Sequence, residues 1–165
     1  MTAIRSATRE DAEAICEVAR ASWHAAYDDL LGEETVDARI DEWYALDGLR
    51  ESIERSEHIF YVAENTRVKG FVHIGPNPEN EGVAELYRIY VRPDWWGEGI
   101  GGQLLESAES ELEGYDRLTL SVFAANDVGI GFYEKKGFER VSEETIEIED
   151  GEYREYRCEK SLQSL

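Results

Sequence analysis

Residues 94–105 read DWWGEGIGGQLL. Gly97, Gly99, Gly101 and Gly102 crowd into this stretch, and Leu104 and Leu105 then open an apolar, regularly spaced run. Glycine is costly unless the backbone needs its freedom. Upstream, Val83–Val91 (VAELYRIYV) is rich in β-formers and is stopped by Pro93, which cannot continue a central ladder. Downstream, Ile100, Leu104, Ala108 and Leu112 recur on one helical face, with Leu105 beside them. A strand, a bare turn and a helix in that order aim unpaired N–H groups and a positive dipole end at one spot, which makes an anion cradle. A Walker-type loop is excluded, because no Lys-Ser or Lys-Thr follows the glycines. Gly97-x-Gly99-x-x-Gly102 matches a dinucleotide fingerprint literally. Its context is wrong: RPDWW separates the strand from the first glycine, and the chain beyond is too short for a doubly wound sheet.

Working outward, Ile4–Ala7 reads as a first strand, and Thr8 reads as a helix cap with Asp11 as its capping-box partner. Ala12, Ile15, Cys16, Ala19 and Trp23 follow at helical spacing. A second helical region covers Glu33–Tyr44 and a further piece Leu49–Glu57. His58–Glu64 and Lys69–Ile74 read as a hairpin turning through Asn65–Arg67, and GPNPENEG (75–82) is a turn-forming loop. Past the glycines, Arg117–Phe123 is a strand. Asn126 caps a helix running to Lys136, and Gly137 suits the position just after its end. A final hairpin joins Val141–Glu149 to Glu152–Glu159 through Asp150-Gly151. The expected fold is α/β (α+β): a mixed, mostly antiparallel central sheet of about seven strands flanked by about four helices. The 165 residues suit one domain over 1–165.

Composition narrows the function. Asp and Glu number 37 against 17 Lys and Arg, a formal net charge of -20. A basic face is missing, so nucleic-acid binding is disfavoured. Two readings of the acidity stay open: adaptation to a cytoplasm of high salt, as in halophilic proteins, or attraction of cationic substrates. No apolar run is long enough to span a bilayer, and the start MTAIR does not resemble a signal peptide, so no membrane association and a cytoplasmic location are expected. Cys16 and Cys158 form no close motif, and His24, His58 and His73 are scattered, so neither a disulfide framework nor a metal site is expected.

VRPDWWGEGIGGQLLESAE resembles the acyl-CoA-binding motif of the GNAT superfamily of N-acetyltransferases, and NDVGIGFYEKKGF (126–138) is similar to that superfamily's next motif. The element order fits the superfamily from end to end. Its Gln/Arg-x-x-Gly-x-Gly pattern falls on Trp96, Gly97, Glu98, Gly99, Ile100 and Gly101, with two departures. Trp96 stands where a polar or basic residue is usual, and Glu98 is acidic where many members carry a cation. Both weaken side-chain contributions to pyrophosphate binding and leave the backbone amides in place. Arg92, Lys135 and Lys136 are candidate phosphate cations.

The resemblance implies transfer of an acetyl group from acetyl-CoA to a primary amine of a small molecule or peptide, by direct attack in a ternary complex and without a metal. Gly97–Gly102 would hold the diphosphate. The backbone of Ile89, Tyr90 and Val91 would pair with the pantetheine arm, and Asn126 would contribute from the second motif. Tyr133 matches the tyrosine that protonates the departing sulfur; read on its own it is a core tyrosine paired with Phe132. Glu85 is a candidate base, directly or through water, or simply a solvated glutamate. Trp23 and Tyr27, one helical turn apart, are candidate acceptor walls or core residues, and His73 and Tyr87 are further pocket candidates. The alternative is a non-catalytic acyl-CoA-binding or sensing module on the same fold. The last hairpin offers an edge for a homodimer.

Overall fold

The structure, a computed structural model, describes residues 2–149 and 151–162; Asp150 of the expected tight turn lies outside them. The strands are β1 (Ala3–Ser6), β2 (Ile59–Asn65), β3 (Arg67–Pro76), β4 (Val83–Val91), β5 (Arg117–Phe123), β6 (Glu139–Ile148) and β7 (Gly151–Ser161). The helices are α1 (Ala12–Leu31), α2 (Glu33–Trp43), α3 (Leu46–Glu54), α4 (Ile100–Glu109) and α5 (Asp127–Lys135). The seven strands follow the order β1-β2-β3-β4-β5-β7-β6. The expected mixed sheet is present with five α-helices, the additional one being α3. The chain falls into two compact units, one of residues 1–75 and 88–111, the other of 76–87 and 112–165, so that β4 contributes to both.

In the first unit β1 and β3 flank β2 antiparallel, with Ile4 opposite Ala63 and Phe60 opposite His73. The β2–β3 turn places Thr66 at a φ of 66°, so the hairpin turns through Asn65–Arg67 as its sequence indicates. Nearly every side chain of β3 is buried. The inner stripe of α1 (Ala12, Ile15, Val18, Ala19, Trp23, Tyr27) is buried at the spacing one helical face requires. Gly32, at a φ of 88°, ends α1 and lets α2 begin at once. Arg20 fastens the two helices through Asp37 and Asp41, each at 2.7 Å. At the start of α1, Asp11 accepts from the Thr8 N–H at 2.8 Å and pairs with Arg5 at 2.9 Å. The expected capping box therefore forms, preceded by a short 3-10 turn over Arg9–Asp11.

In the second unit β4 and β5 run parallel, with Val83–Glu85 opposite Arg117–Thr119. β7 lies antiparallel between β5 and β6. β6 is the edge strand and is exposed along almost its whole length. Glu139, Glu143, Glu144 and Glu147 place like charge along that edge. The hairpin is longer than its alternating pattern suggests at its open end, where β6 starts at Glu139 and β7 runs to Ser161, whereas at the turn β6 stops at Ile148, one residue before the expected Glu149.

Candidate active site

In the first unit, β4 runs into a 3-10 turn over Pro93–Trp95 and then into the glycine stretch. Gly97 and Gly99 have φ of 84° and 81°, and a Cβ at either would meet nothing within 4 Å. The glycines here answer a dihedral demand rather than a steric one, since a positive φ is costly for other residues. Gly99 is the N-cap of α4. It supplies no side-chain cap, and the first turn holds no acidic residue. The Gln103 N–H bonds the Gly99 carbonyl at 3.1 Å, so the amides of Ile100, Gly101 and Gly102 precede the first intrahelical bond and point out of the helix end.

The two tryptophans explain how so bare a turn keeps its shape. The Trp96 indole N–H donates to the Val91 carbonyl at 2.7 Å, tying the turn back to the end of β4. The buried Lys69 ammonium lies over the Trp95 ring, 3.3 Å from its centroid. The Arg92 N–H donates to the Lys69 carbonyl at 2.7 Å. Trp96 thus replaces the usual polar residue with a structural tether. The Val91 carbonyl also accepts from the Ser22 hydroxyl at 2.9 Å. Both of its lone pairs have partners within the protein.

The same unit gathers an aromatic cluster. Trp23 meets Tyr27, Trp43 and Tyr90 with ring centroids 4.8, 5.5 and 6.5 Å apart. Phe71 lies 6.0 Å from Tyr90 and 6.3 Å from Tyr44. Trp23, Tyr27 and Tyr44 are buried, whereas Arg88 and Tyr90 keep part of their surface exposed. The Arg88 guanidinium sits over Tyr44 at 4.8 Å. Burial pushes the phenols of Tyr44 and Tyr90 up, so both stay protonated donors. Trp23 and Tyr27 therefore belong to a packed wall. His73 is 3 % exposed, stacked on Phe60 at 4.7 Å and bonded to His58 at 2.8 Å. Burial, aided by the positive charge of Arg88, drives its pKa down to about 3. This is a neutral core histidine, which corrects its reading as a pocket residue. His24, Asp28 and Glu33 bring ligand atoms within 4.8 Å of one another. Both His24 nitrogens already face carboxylates, Asp28 at 2.6 Å and Asp37 at 2.8 Å, so the group is an ion-pair network between α1 and α2.

In the second unit the β4–β5 register ends at Glu85 opposite Thr119, although both strands continue. Glu85 is held by Arg157 through two bonds of 2.9 and 3.1 Å and accepts from the Thr119 hydroxyl. It is a paired glutamate rather than a solvated one, because Arg157 takes both of its oxygens and Thr119 donates to one of them. Tyr87 is exposed and donates to the Pro76 carbonyl at 2.9 Å, closing the 76–87 loop. Asn126 caps α5, its side-chain oxygen accepting from the Gly129 N–H at 2.9 Å. Tyr133 is half-buried between Phe132 and Phe138, with centroids 5.5 and 5.7 Å away.

Sequence reasoning missed Arg88, Tyr44, Ser22 and Arg157. Only Arg88 left a signal, as the lone cation of a strand whose one other charge is Glu85.

A strand leading through a bare turn into an uncapped helix is the geometry that the sequence resemblance to N-acetyltransferases leads one to expect. The profile of the Acetyltransferase (GNAT) family matches residues 13–138. The chain is 32% identical over 169 residues to a spermidine N(1)-acetyltransferase of Thermoplasma acidophilum, covering 98% of each. It is 30% identical to the uncharacterized N-acetyltransferase YuaI of Bacillus subtilis, covering 90% of this chain and 86% of that one. The crystal structure of the PaiA N-acetyltransferase from T. acidophilum, in complex with coenzyme A, superposes with a TM-score of 0.84 at 32% identity, covering 98% of this chain and 99% of that one. The chain belongs to the GNAT family and is an acetyl-CoA-dependent N-acetyltransferase.

Proposed function

We propose that the main-chain amides of Gly97–Gly102 hold the diphosphate of acetyl-CoA, that the acceptor is a primary amine of a small molecule or peptide, and that Tyr133 is the general acid. The observation that carries this reading is the open N-terminus of α4. It has a Gly99 cap, no acidic first turn and amides directed outward, which suits a doubly charged ligand. The relative that acetylates spermidine supports a small amine as acceptor. Family membership favours catalysis over a sensing role. No described helix is long and apolar enough to cross a membrane.

The chemistry assigns the roles. A neutral amine nitrogen attacks the thioester carbonyl carbon, and the carbon–nitrogen bond forms as charge builds on the oxygen. A main-chain N–H of β4 is suited to steady that oxygen. The intermediate then collapses, the carbon–sulfur bond breaks, and the Tyr133 hydroxyl gives its proton to the sulfur. The amine proton leaves to water. Glu85, bound by Arg157 and Thr119, serves as an anchor between β4, β5 and β7 rather than as the proton acceptor.

Turnover by Tyr133→Phe tests the assignment. Loss of a general acid lowers kcat by about 10²–10⁴-fold, with acetyl-CoA affinity retained. Unchanged release of free thiol by the variant removes Tyr133 from the mechanism.

A further inference from the structure

Arg88 is left over once the acetyl donor and the leaving group have been served. It stands on β4, two residues before Tyr90, inside the aromatic cluster of the first unit. Its Nη1 is buried and has no hydrogen-bond partner among the described residues. Its guanidinium lies over the face of Tyr44, at 4.8 Å. Several arginines reach carboxylates, as Arg5 does with Asp11 and Glu64, Arg20 with Asp37 and Asp41, and Arg157 with Glu85. Arg88 instead keeps a buried N–H donor unmet, which is unfavourable, and a ring face offsets only part of that cost.

The surroundings of Arg88 are rich in donors. The hydroxyls of Tyr44 and Tyr90 stay protonated, and the Trp23 indole lies close to both phenol oxygens. The groups that act electrostatically on Tyr90 are Trp23, Arg88 and Tyr44, and none is a carboxylate. Arg88 and Tyr90 are also the members of the cluster that keep surface exposed, so the donors are reachable. A guanidinium beside two phenol hydroxyls has the donor set that recognises a carboxylate.

We propose that Arg88, with the hydroxyls of Tyr44 and Tyr90, binds a carboxylate carried by the acceptor, so that the amine acetylated by this enzyme belongs to an amino acid or a peptide rather than to a polyamine. The proposal rests on the acetyltransferase reading and narrows its acceptor. Binding fixes the amine at a set distance from the carboxylate and disfavours a polycation, which would bring positive charge against Arg88.

The test uses a series of ω-amino acids from glycine upward, each beside its own carboxamide, together with spermidine. Thiol release gives kcat/KM, and calorimetry on the coenzyme A-loaded enzyme gives acceptor affinity without turnover. At least one acid should exceed its amide by about 10- to 100-fold, the value of a hydrogen bond to a charged group, and should also exceed spermidine. Arg88→Gln should erase that difference through the acceptor KM while the acetyl-CoA KM is unchanged, and Arg88→Lys should keep part of it. Equal use and equal binding of acids and amides by the wild-type enzyme, or an acid preference that survives in Arg88→Gln, would overturn the proposal. Failure of the wild-type enzyme to bind acetyl-CoA would instead overturn the acetyltransferase reading, and calorimetry of acids against amides on the free enzyme would then still decide whether Arg88 binds a carboxylate.

Discussion

Two helices of similar length begin in opposite ways. α5 starts at Asn126, whose side chain takes the Gly129 N–H, and it carries Asp127 in its first turn. α4 starts at Gly99, has no side chain over its end and no acid in its first turn. Each end has the same unpaired amides and the same positive dipole. In α5 the protein satisfies them with its own oxygens. In α4 it leaves them open, and it holds the preceding turn in place through Trp95 and Trp96 instead. Capping an end makes a stable helix, and leaving it bare on a tethered turn leaves its amides available to an anion. The contrast between Arg157, closed by Glu85, and Arg88, open beside Tyr44, repeats the lesson with side chains.

The sharpest way to break the contrast is to deny α4 its cap geometry. Gly99 sits at a φ of 81°, which costs a branched residue about 1–3 kcal/mol. Gly99→Val should therefore weaken acetyl-CoA binding by about 10- to 100-fold in calorimetry, by moving the amides out of line. Undiminished affinity would mean that the turn does not hold the ligand. Removing the tether is gentler. Trp96→Phe keeps the ring but loses the bond to the Val91 carbonyl, worth about 0.5–1.5 kcal/mol. The acetyl-CoA KM should rise about two- to tenfold at unchanged kcat. A matched fall in kcat instead would place Trp96 in the chemical step.

At the closed end the expected effect is on stability alone. Asn126→Ala removes a cap worth about 0.5–2 kcal/mol, so Tm falls while acetyl-CoA affinity stays within a factor of about two. A large loss of affinity would show that Asn126 serves the ligand as well as the helix. The smallest effect belongs to Glu98, an exposed acid beside the open end. Glu98→Gln should strengthen acetyl-CoA binding about twofold at low ionic strength and not at high salt, since screening erases exposed charge effects. A salt-independent gain would point to a contact rather than to charge.

The elements that place the donor were readable because they rest on local rules. β4 spans Val83–Val91 and β5 spans Arg117–Phe123, just as their β-former runs indicate. Pro93, the glycine run and Asn126 act within a few residues of themselves. What was not readable depends on distant parts of the chain. Glu85 looks the same on paper whether it is solvated, catalytic or paired, and Arg157, 72 residues away, decides between them. His73 alternates with apolar neighbours as a pocket residue would, and only the packing of Phe60 and His58 makes it core. Arg88 is visible as an odd cation in a strand, but its lack of a carboxylate depends on Tyr44, contributed from the end of α2. α3 begins at Leu46, three residues before the expected Leu49, because Gly48 interrupts the helical pattern of its first turn, and it ends at Glu54 rather than Glu57.

The account stands on the amides of residues 97–102 holding a diphosphate. Titrating 15N-labelled protein with coenzyme A and, separately, with pantetheine tests this most directly. The N–H resonances of Gly99–Gly102 should shift with coenzyme A and stay still with pantetheine, which lacks the diphosphate. Equal shifts with both ligands, or no shift at these amides with coenzyme A, would contradict it.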